Sequence, residues 1–269
     1  MWSRGKLKER AKASFMRNYW MVVLVSAILL VLGGGENSVK FGPSFSTNFN
    51  LDLGEQEDLS DDISDVGDDD PLYMIQGDSG GLETAGTIVA GVALIFAIIA
   101  GFIVVAGFVF KVLVANPFSV GGKRFFFKNL TENASIKELI IVFKGHYGNV
   151  VKTLFLRDLY TILWTLLFVI PGIVKRYEYR MMPYLLAENP DMPKEQAFEL
   201  SKKMMDGQKW DAFVLDLSFI GWEILSAFSF GILGIFYVNP YRNMTNAALY
   251  EALCYQGRRI DTTDNNENV

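Results

Sequence analysis

The feature that most constrains this chain is one long run of apolar residues. Across residues 87–115, only Lys111 interrupts a series dominated by Ile, Val, Ala, Phe and Gly. About 20 consecutive apolar residues are enough to cross the hydrocarbon core of a bilayer. The run therefore predicts a transmembrane helix with length to spare, tilted or kinked near Gly101 or Gly107.

Three further apolar regions are shorter, or are interrupted by charge and by glycine or proline. They cover residues 19–32, 150–174 and 212–238. One span in each of them, together with residues 87–115, gives four transmembrane helices. That count places the basic stretch 175–209 outside the cell, although positively charged loops tend to stay in the cytoplasm.

A repeated pattern favours six transmembrane segments over four. Three times, a charged amphipathic segment leads into an apolar region, and three times an Asn-Pro pair follows. These pairs are Asn116-Pro117, Asn189-Pro190 and Asn239-Pro240. A repeated unit of surface helix and membrane hairpin explains both series and keeps every basic segment inside. The sequence thus predicts an all-α membrane protein, a bundle of 4–6 transmembrane helices with six favoured as three hairpins, plus cytoplasmic amphipathic helices.

The formal net charge of −5 hides a sharp partition along the chain. Between Glu36 and Glu83 there are 13 acidic residues and one basic residue, whereas the remainder carries 17 acidic and 24 basic residues. Low hydrophobicity and like charge predict a disordered, acidic extracellular loop at residues 35–86. An EF-hand beginning at Asp62 fails at two ligand positions, which leaves loose binding of divalent cations as the alternative to a plain solvated loop. The rest of residues 1–269 is predicted to form a single integral membrane domain, with a disordered tail at 260–269.

The first residues have the pattern of a basic amphipathic helix. Residues 2–18 contain six Lys and Arg residues, and apolar side chains recur at roughly helical spacing at Trp2, Leu7, Ala11 and Phe15. We interpret this segment as a helix on the inner leaflet that leads into a membrane span, with the N-terminus in the cytoplasm. A cleaved signal peptide is the alternative, but no clear cleavage site follows.

Histidine and cysteine are nearly absent, which limits the chemistry available to the chain. His146 and Cys254 are the single representatives of their types. This count excludes a zinc site of the usual Cys/His kind and leaves a catalytic triad only through His146, whose partners are not evident. The sequence predicts that the protein is not an enzyme and that it holds no metal and no cofactor.

A glycine pair followed by basic residues occurs just after the longest apolar run. The segment Gly121-Gly122-Lys123-Arg124 lacks the spacing of a phosphate-binding P-loop. We expect instead a cytoplasmic basic patch that touches anionic lipid of the inner leaflet, anchored at the interface by residues 125–127, which are all Phe. Nucleic acid is not an expected partner, whereas a protein partner or a second copy of the chain is.

Five charged residues fall within or beside the apolar regions. They are Arg157, Asp158, Arg180, Asp216 and Glu223. Charges at membrane depth are costly, so they pair with one another or mark a functional pathway. One interpretation is a set of interhelical ion pairs, such as Asp216 or Glu223 with Arg157 or Arg180. The other is a polar pathway for an ion, a proton or a lipid headgroup.

Several short motifs together resemble a bacterial family of uncharacterised multi-pass membrane proteins, domain of unknown function number nine hundred and seventy-five. The motifs are NPFSVGG (residues 116–122), FLRDLY (155–160), IPGI (170–173), LAENPDM (186–192) and WDAFVLDLSFIGW (210–222). The resemblance extends from Trp2 to about Leu253, apart from the acidic loop. It implies a location in the cell membrane and no established activity.

Two functions follow as expectations. The first is a non-enzymatic integral membrane protein, a structural, regulatory or assembly module that acts through lipids or protein partners. The second is a small transporter or channel-like protein, which the internal repeat, the broken helices and the intramembrane charges favour. A water-accessible cavity lined by the charged residues would favour transport, and tight pairing among them would favour the module.

Overall fold

The structure is a computed structural model that describes residues 2–33, 79–145 and 147–266, with side chains described outside 79–86 and 257–266. Within these ranges the chain is helical and contains no β-strand. Residues 34–78, which include most of the predicted acidic loop, lie outside the described residues, as does His146.

The α-helices are, in chain order, α1 (Arg4–Arg17), α2 (Tyr19–Val31), α3 (Ser79–Phe110), α4 (Asn116–Lys128), α5 (Tyr147–Leu167), α6 (Val169–Glu178), α7 (Met182–Glu188), α8 (Lys194–Met204), α9 (Lys209–Leu217), α10 (Ile220–Phe228) and α11 (Asn239–Asn266). Two π-helices, Lys111–Ala115 and Gly234–Val238, and a 3₁₀ helix, Ile136–Lys144, complete the described elements.

The chain divides into two compact units. The larger unit comprises Met1–Ser38 and Ala106–Val269, and the smaller comprises Val39–Val105. What is described of the smaller unit is the long apolar helix α3 up to residue 105. The stretch Thr87–Lys128 is long and apolar enough to cross a membrane, and no residue in its most apolar part is buried.

The core of the larger unit lies around α4, α7 and α11. Helix α7 is buried along almost its whole length, and α11 packs against α1, α2 and α4. Buried aromatic rings join these helices, since Tyr184 stacks on Tyr250 with ring centroids 4.9 Å apart. The helices that carry polar residues towards the candidate site are therefore held by a well-packed centre.

The apolar face of helix α1 is covered by other parts of the protein and does not face lipid. Leu7, Ala11 and Phe15 are buried, α1 packs along α11, and Arg10 forms an ion pair with Glu251. The predicted helix is present, but the interpretation that it rests by this face on the inner leaflet is wrong. Periodicity identified the apolar face, whereas it could not show that a helix some 240 residues later would occupy it. The α1–α2 pair is bent by 103° and counts as a second candidate span only if both helices are taken together.

The predicted basic patch on α4 turns inward. Lys123 is buried with its Nζ 5.2 Å from the centre of the Tyr184 ring, and Arg124 donates to Glu138 at 2.8 Å. Phe125 and Phe126 are fully buried, so they are not interfacial anchors as the sequence suggested. The run of three phenylalanines supplies core volume because α4 lies at the centre of the unit.

Glu138 holds α4 and the 3₁₀ helix together. Burial alone would raise the pKa of its carboxyl, but hydrogen bonds from Lys128 and Arg124 hold that pKa below its ordinary value. A lowered carboxyl pKa stabilises the fold at pH values above the ordinary pKa of a glutamate. This stability is lost as the pH falls through the lowered pKa.

The second predicted hairpin, in the apolar region 150–174, is formed by α5 and α6 with a break at Phe168. Phe168 is extended (φ −153°, ψ 136°), and Pro171 lies in the first turn of α6. Proline is tolerated there because the first backbone N–H groups of a helix lack partners within it. Gly172 lets the arms approach closely, since a Cβ on it would lie 2.6 Å from the Thr165 Cα.

The third predicted hairpin, in the apolar region 212–238, turns at Phe230 and Gly231. Phe230 (φ 51°) and Gly231 (φ 82°) both have left-handed backbone conformations between α10 and the π-helix Gly234–Val238.

Each of the two π-helices ends directly at an Asn-Pro pair. The pair is Asn116-Pro117 in one case and Asn239-Pro240 in the other, and it begins the next α-helix. Proline cannot donate the usual i→i−4 bond, and the wider turn of a π-helix accommodates the mismatch. Asn189-Pro190 differs, because Asn189 caps the end of α7.

The predicted bundle of 4–6 transmembrane helices is not confirmed. By length and composition, the described residues contain one helix able to cross a membrane, or two if the bent pair is counted. The other apolar regions fall short for physical reasons. Helix α5 has 21 residues but includes Lys152, Arg157 and Asp158, and α6, α9 and α10 have only 10, 9 and 9 residues.

The contact between α4 and the 3₁₀ helix generates a stability prediction. A Cβ added to Gly121 would lie 2.2 Å from the Leu139 carbonyl oxygen, so the backbone must move. We expect Gly121→Ala to lower the free energy of unfolding by about 1–3 kcal/mol, measured by thermal melting of the protein in detergent.

Gly148→Ala is the matched control, because no atom lies within 4 Å of its added Cβ. Replacing a helical glycine by alanine adds about 0.5–1 kcal/mol of stability when nothing clashes. Equal melting temperatures for the two variants would contradict the close approach at Gly121.

Candidate polar cavity

A cavity of about 570 Å³ in the larger unit gathers all five charged residues singled out by the sequence. Arg157 and Asp158 come from α5, Arg180 from the turn before α7, Asp216 from α9 and Glu223 from α10. Lys111, Arg176 and Arg242 also line it. Residues far apart in the chain therefore meet around one polar space.

Arg180 is the most tightly bonded residue of this cavity. Its Nη1 and Nη2 donate to the two carboxylate oxygens of Asp216, each at 2.8 Å. Nη2 also donates to Oδ1 of Asn246 at 2.8 Å, and the Tyr177 hydroxyl donates to Asp216 at 2.9 Å. The fork geometry matches a guanidinium to a carboxylate, the strongest kind of protein ion pair. Arg180 is one of the two partners that the sequence suggested for Asp216.

Glu223 pairs with Arg242, a partner that the sequence did not suggest. Nη1 of Arg242 donates to Oε1 of Glu223, and the guanidinium carbon lies 5.1 Å from the centre of the Phe219 ring. Arg242 is only 5% exposed, and its Nε has no hydrogen-bond partner. The sequence signal for Arg242 was its position two residues after Pro240, because a charged residue so close to an apolar region needs a partner.

Asp158 is the centre of a third charged group. Nη2 of the neighbouring Arg157 donates to it at 2.7 Å, and Asn116 donates to it at 3.2 Å. Lys111 Nζ lies 3.5 Å from the same carboxylate. Lys111 is the residue that interrupts the long apolar run, and Asp158 provides its counter-charge.

The cavity carries more positive than negative charge. Five cationic side chains line it against three carboxylates. Each carboxylate bonds to at least one of these cations. An excess of fixed positive charge in a partly desolvated space favours an anion over a cation.

The cavity can bind a charged group, and each of its carboxylates is hydrogen-bonded to an arginine. Among the described residues, no group of three or more His, Cys, Asp or Glu side chains could hold a metal ion. Cys254 on α11 is half-buried and does not line the cavity. The absence of a metal, a cofactor and an enzymatic activity stays a prediction.

Comparison with known proteins identifies a family over one part of the chain. Residues 164–256 match the family model DUF975, described as a protein of unknown function. This is the family that the sequence motifs suggested, and the matched stretch holds Arg180, Asp216, Glu223 and Arg242. No curated protein matches the chain, and no solved structure matches it either.

The Arg180–Asp216 pair generates the next prediction. Asp216→Asn removes the carboxylate and leaves the buried guanidinium without its counter-charge, so we expect about 3 kcal/mol of destabilisation. The melting temperature of the detergent-solubilised protein measures the loss. Glu195→Gln is the control, because the Lys194–Glu195 pair is exposed and such pairs contribute little to stability. A loss for Asp216→Asn no larger than that of the control would show that the pair is not a structural constraint.

Proposed function

We propose that this protein is a non-enzymatic, multi-pass protein of the cell membrane, a module that acts by binding lipid through its polar cavity. The observation that carries the proposal is the distribution of polarity in the larger unit. Charged side chains converge on an internal cavity, whereas large apolar side chains are exposed on α5, α6 and α10. A protein in water exposes charge and avoids large apolar patches, so this distribution fits an apolar solvent.

The hairpins support six segments arranged as three pairs. The ends of the second and third hairpins are strongly apolar and exposed, with Phe168 at one turn and Phe228 and Phe230 at the other. A broken helix can lie at membrane depth when neighbouring helices satisfy its backbone groups. Short arms such as α6 and α10 are therefore compatible with a membrane hairpin, although neither is long enough to count as a span alone.

The basic surface of the larger unit supports a cytoplasmic orientation for α1 and α8. Arg4, Lys6 and Lys12 are exposed on α1, and Lys202 is exposed on α8. Exposed Lys and Arg near a bilayer attract the anionic lipids of the inner leaflet by about 1 kcal/mol each. With the apolar face of α1 covered by α11, this attraction is electrostatic and requires no insertion of α1.

A transporter or channel-like protein is the second candidate, and the cavity itself favours it. A volume of about 570 Å³ lined by polar groups is larger than an ion-paired core requires. The closed pairs of Arg180 and Arg242 favour the module, because a pathway for solute needs these pairs to open. Flux of anions through proteoliposomes would support the second candidate, and binding without flux would support the module.

The topology is tested by cysteine accessibility in intact cells, in a Cys254→Ser background. Single cysteines replace Asp65 in the acidic loop, Ile232 at the third hairpin and Lys202 on α8. The side chains of Ile232 and Lys202 are exposed. We expect a membrane-impermeant thiol reagent to label position 65 in intact cells and position 202 only after permeabilisation, and labelling of position 232 in intact cells would show that the third hairpin turn reaches the outer surface.

Permeabilisation is also the control for reactivity, because each cysteine must label once the reagent has access. Labelling of position 202 in intact cells would overturn the three-hairpin arrangement and support four spans. Ser201, next to it, is unsuitable because its side chain is fully buried.

A further inference from the structure

We infer that the polar cavity is a binding site for a phosphate group and that Arg242 is its recognition residue. The inference deepens the proposed function and rests on it, because it names the chemical class of the ligand for the same cavity. Phosphate is the group shared by the two sources that such a site could meet, a phospholipid headgroup and free inorganic phosphate.

The first observation is a buried charged donor without an acceptor. Arg242 Nε has no hydrogen-bond partner, although the residue is 95% buried and lines the cavity. Leaving a charged donor unsatisfied is costly, so an acceptor bound in the cavity would stabilise this arginine. The guanidinium plane is already fixed by the bond to Glu223 and by the Phe219 ring. An arginine held in this way is pre-organised to bind an oxyanion.

The second observation is the sign and size of the charge. Five cations against three carboxylates leave the lining with an excess of two positive charges. A phosphate group carries one or two negative charges and presents several acceptor oxygens at once, which suits guanidinium donors. A carboxylate ligand presents only two acceptor oxygens, and a cation would have to displace an arginine from its partner.

The third observation is the space available. A volume of about 570 Å³ lies within the range of about 300–1,000 Å³ that small-molecule sites occupy. Ser119 and Asn116 add neutral polar groups at one side of the lining, and Ile162, Ile173 and Leu217 add apolar ones. A phosphate joined to a glycerol fragment matches this mixture of polar and apolar lining.

The experiment uses the full-length protein purified in detergent. Calorimetric titration measures binding of inorganic phosphate, and native mass spectrometry measures retention of phosphatidylglycerol against phosphatidylcholine. Arg242→Lys keeps the positive charge but removes Nε, and we expect about tenfold weaker binding, the effect of one hydrogen bond to a charged group. Arg4→Gln, on the exposed face of α1, is the control for non-specific attraction and leaves binding unchanged.

Arg176→Gln is the second variant, in case Arg242→Lys does not fold. It removes one charge from the exposed part of the lining, and we expect several-fold weaker binding. Phosphatidylglycerol retained and displaced by phosphate would identify one site for both sources. Retention of the lipid without binding of phosphate would assign the site to a headgroup, and binding of phosphate alone would assign it to the free ion.

The inference is overturned if neither probe binds, or if Arg4→Gln weakens binding as much as a folded cavity variant does. These outcomes are independent of the topology. Cysteine labelling that supports four spans would remove the three-hairpin arrangement but would leave the binding of phosphate to the purified protein unaffected.

Discussion

The burial of Arg180 is the constraint on which the larger unit depends. A guanidinium cannot leave water unless its charge and its donors are matched, and Arg180 finds these partners on two different helices. Asp216 brings α9 to it, and Asn246 brings α11. The turn between α6 and α7 is therefore fixed against both helices by one side chain, and the cavity forms beside it.

The irregular helices lead into the same cavity. Regular helices of full length would place polar residues at intervals set by 3.6 residues per turn. The π-helix Lys111–Ala115 and the break at Phe168 interrupt this periodicity, and the π-helix Gly234–Val238 does so again before Arg242. Each interruption changes the register of the chain just before it contributes to the cavity lining. Such local departures from regular geometry are common where a protein builds a site.

The sequence predicted the polar residues better than it predicted their surroundings. Costly charges in apolar regions are visible in any sequence, so the five candidates could be named, and the cavity contains all of them. The partner of Glu223 could not be named, because Arg242 follows an Asn-Pro pair that looked like an exit from the apolar region. Phe125 and Phe126 were misread because three adjacent aromatic rings beside basic residues have the same pattern in a core and at an interface. What covers an apolar face is decided by residues distant in the chain, and periodicity carries no information about them.

The contact of α1 with α11 has a consequence for how the chain is made. Helix α1 is synthesised well before α11, which packs along it, and Arg10 and Glu251 are joined across about 240 residues. During synthesis Leu7, Ala11 and Phe15 lack the cover of α11 until that helix emerges. The apolar face of nascent α1 therefore stays without this cover while the residues between the two helices are synthesised. The contact of α1 with α11 therefore forms late in folding, and until then the uncovered face of α1 is apolar surface that a chaperone can bind.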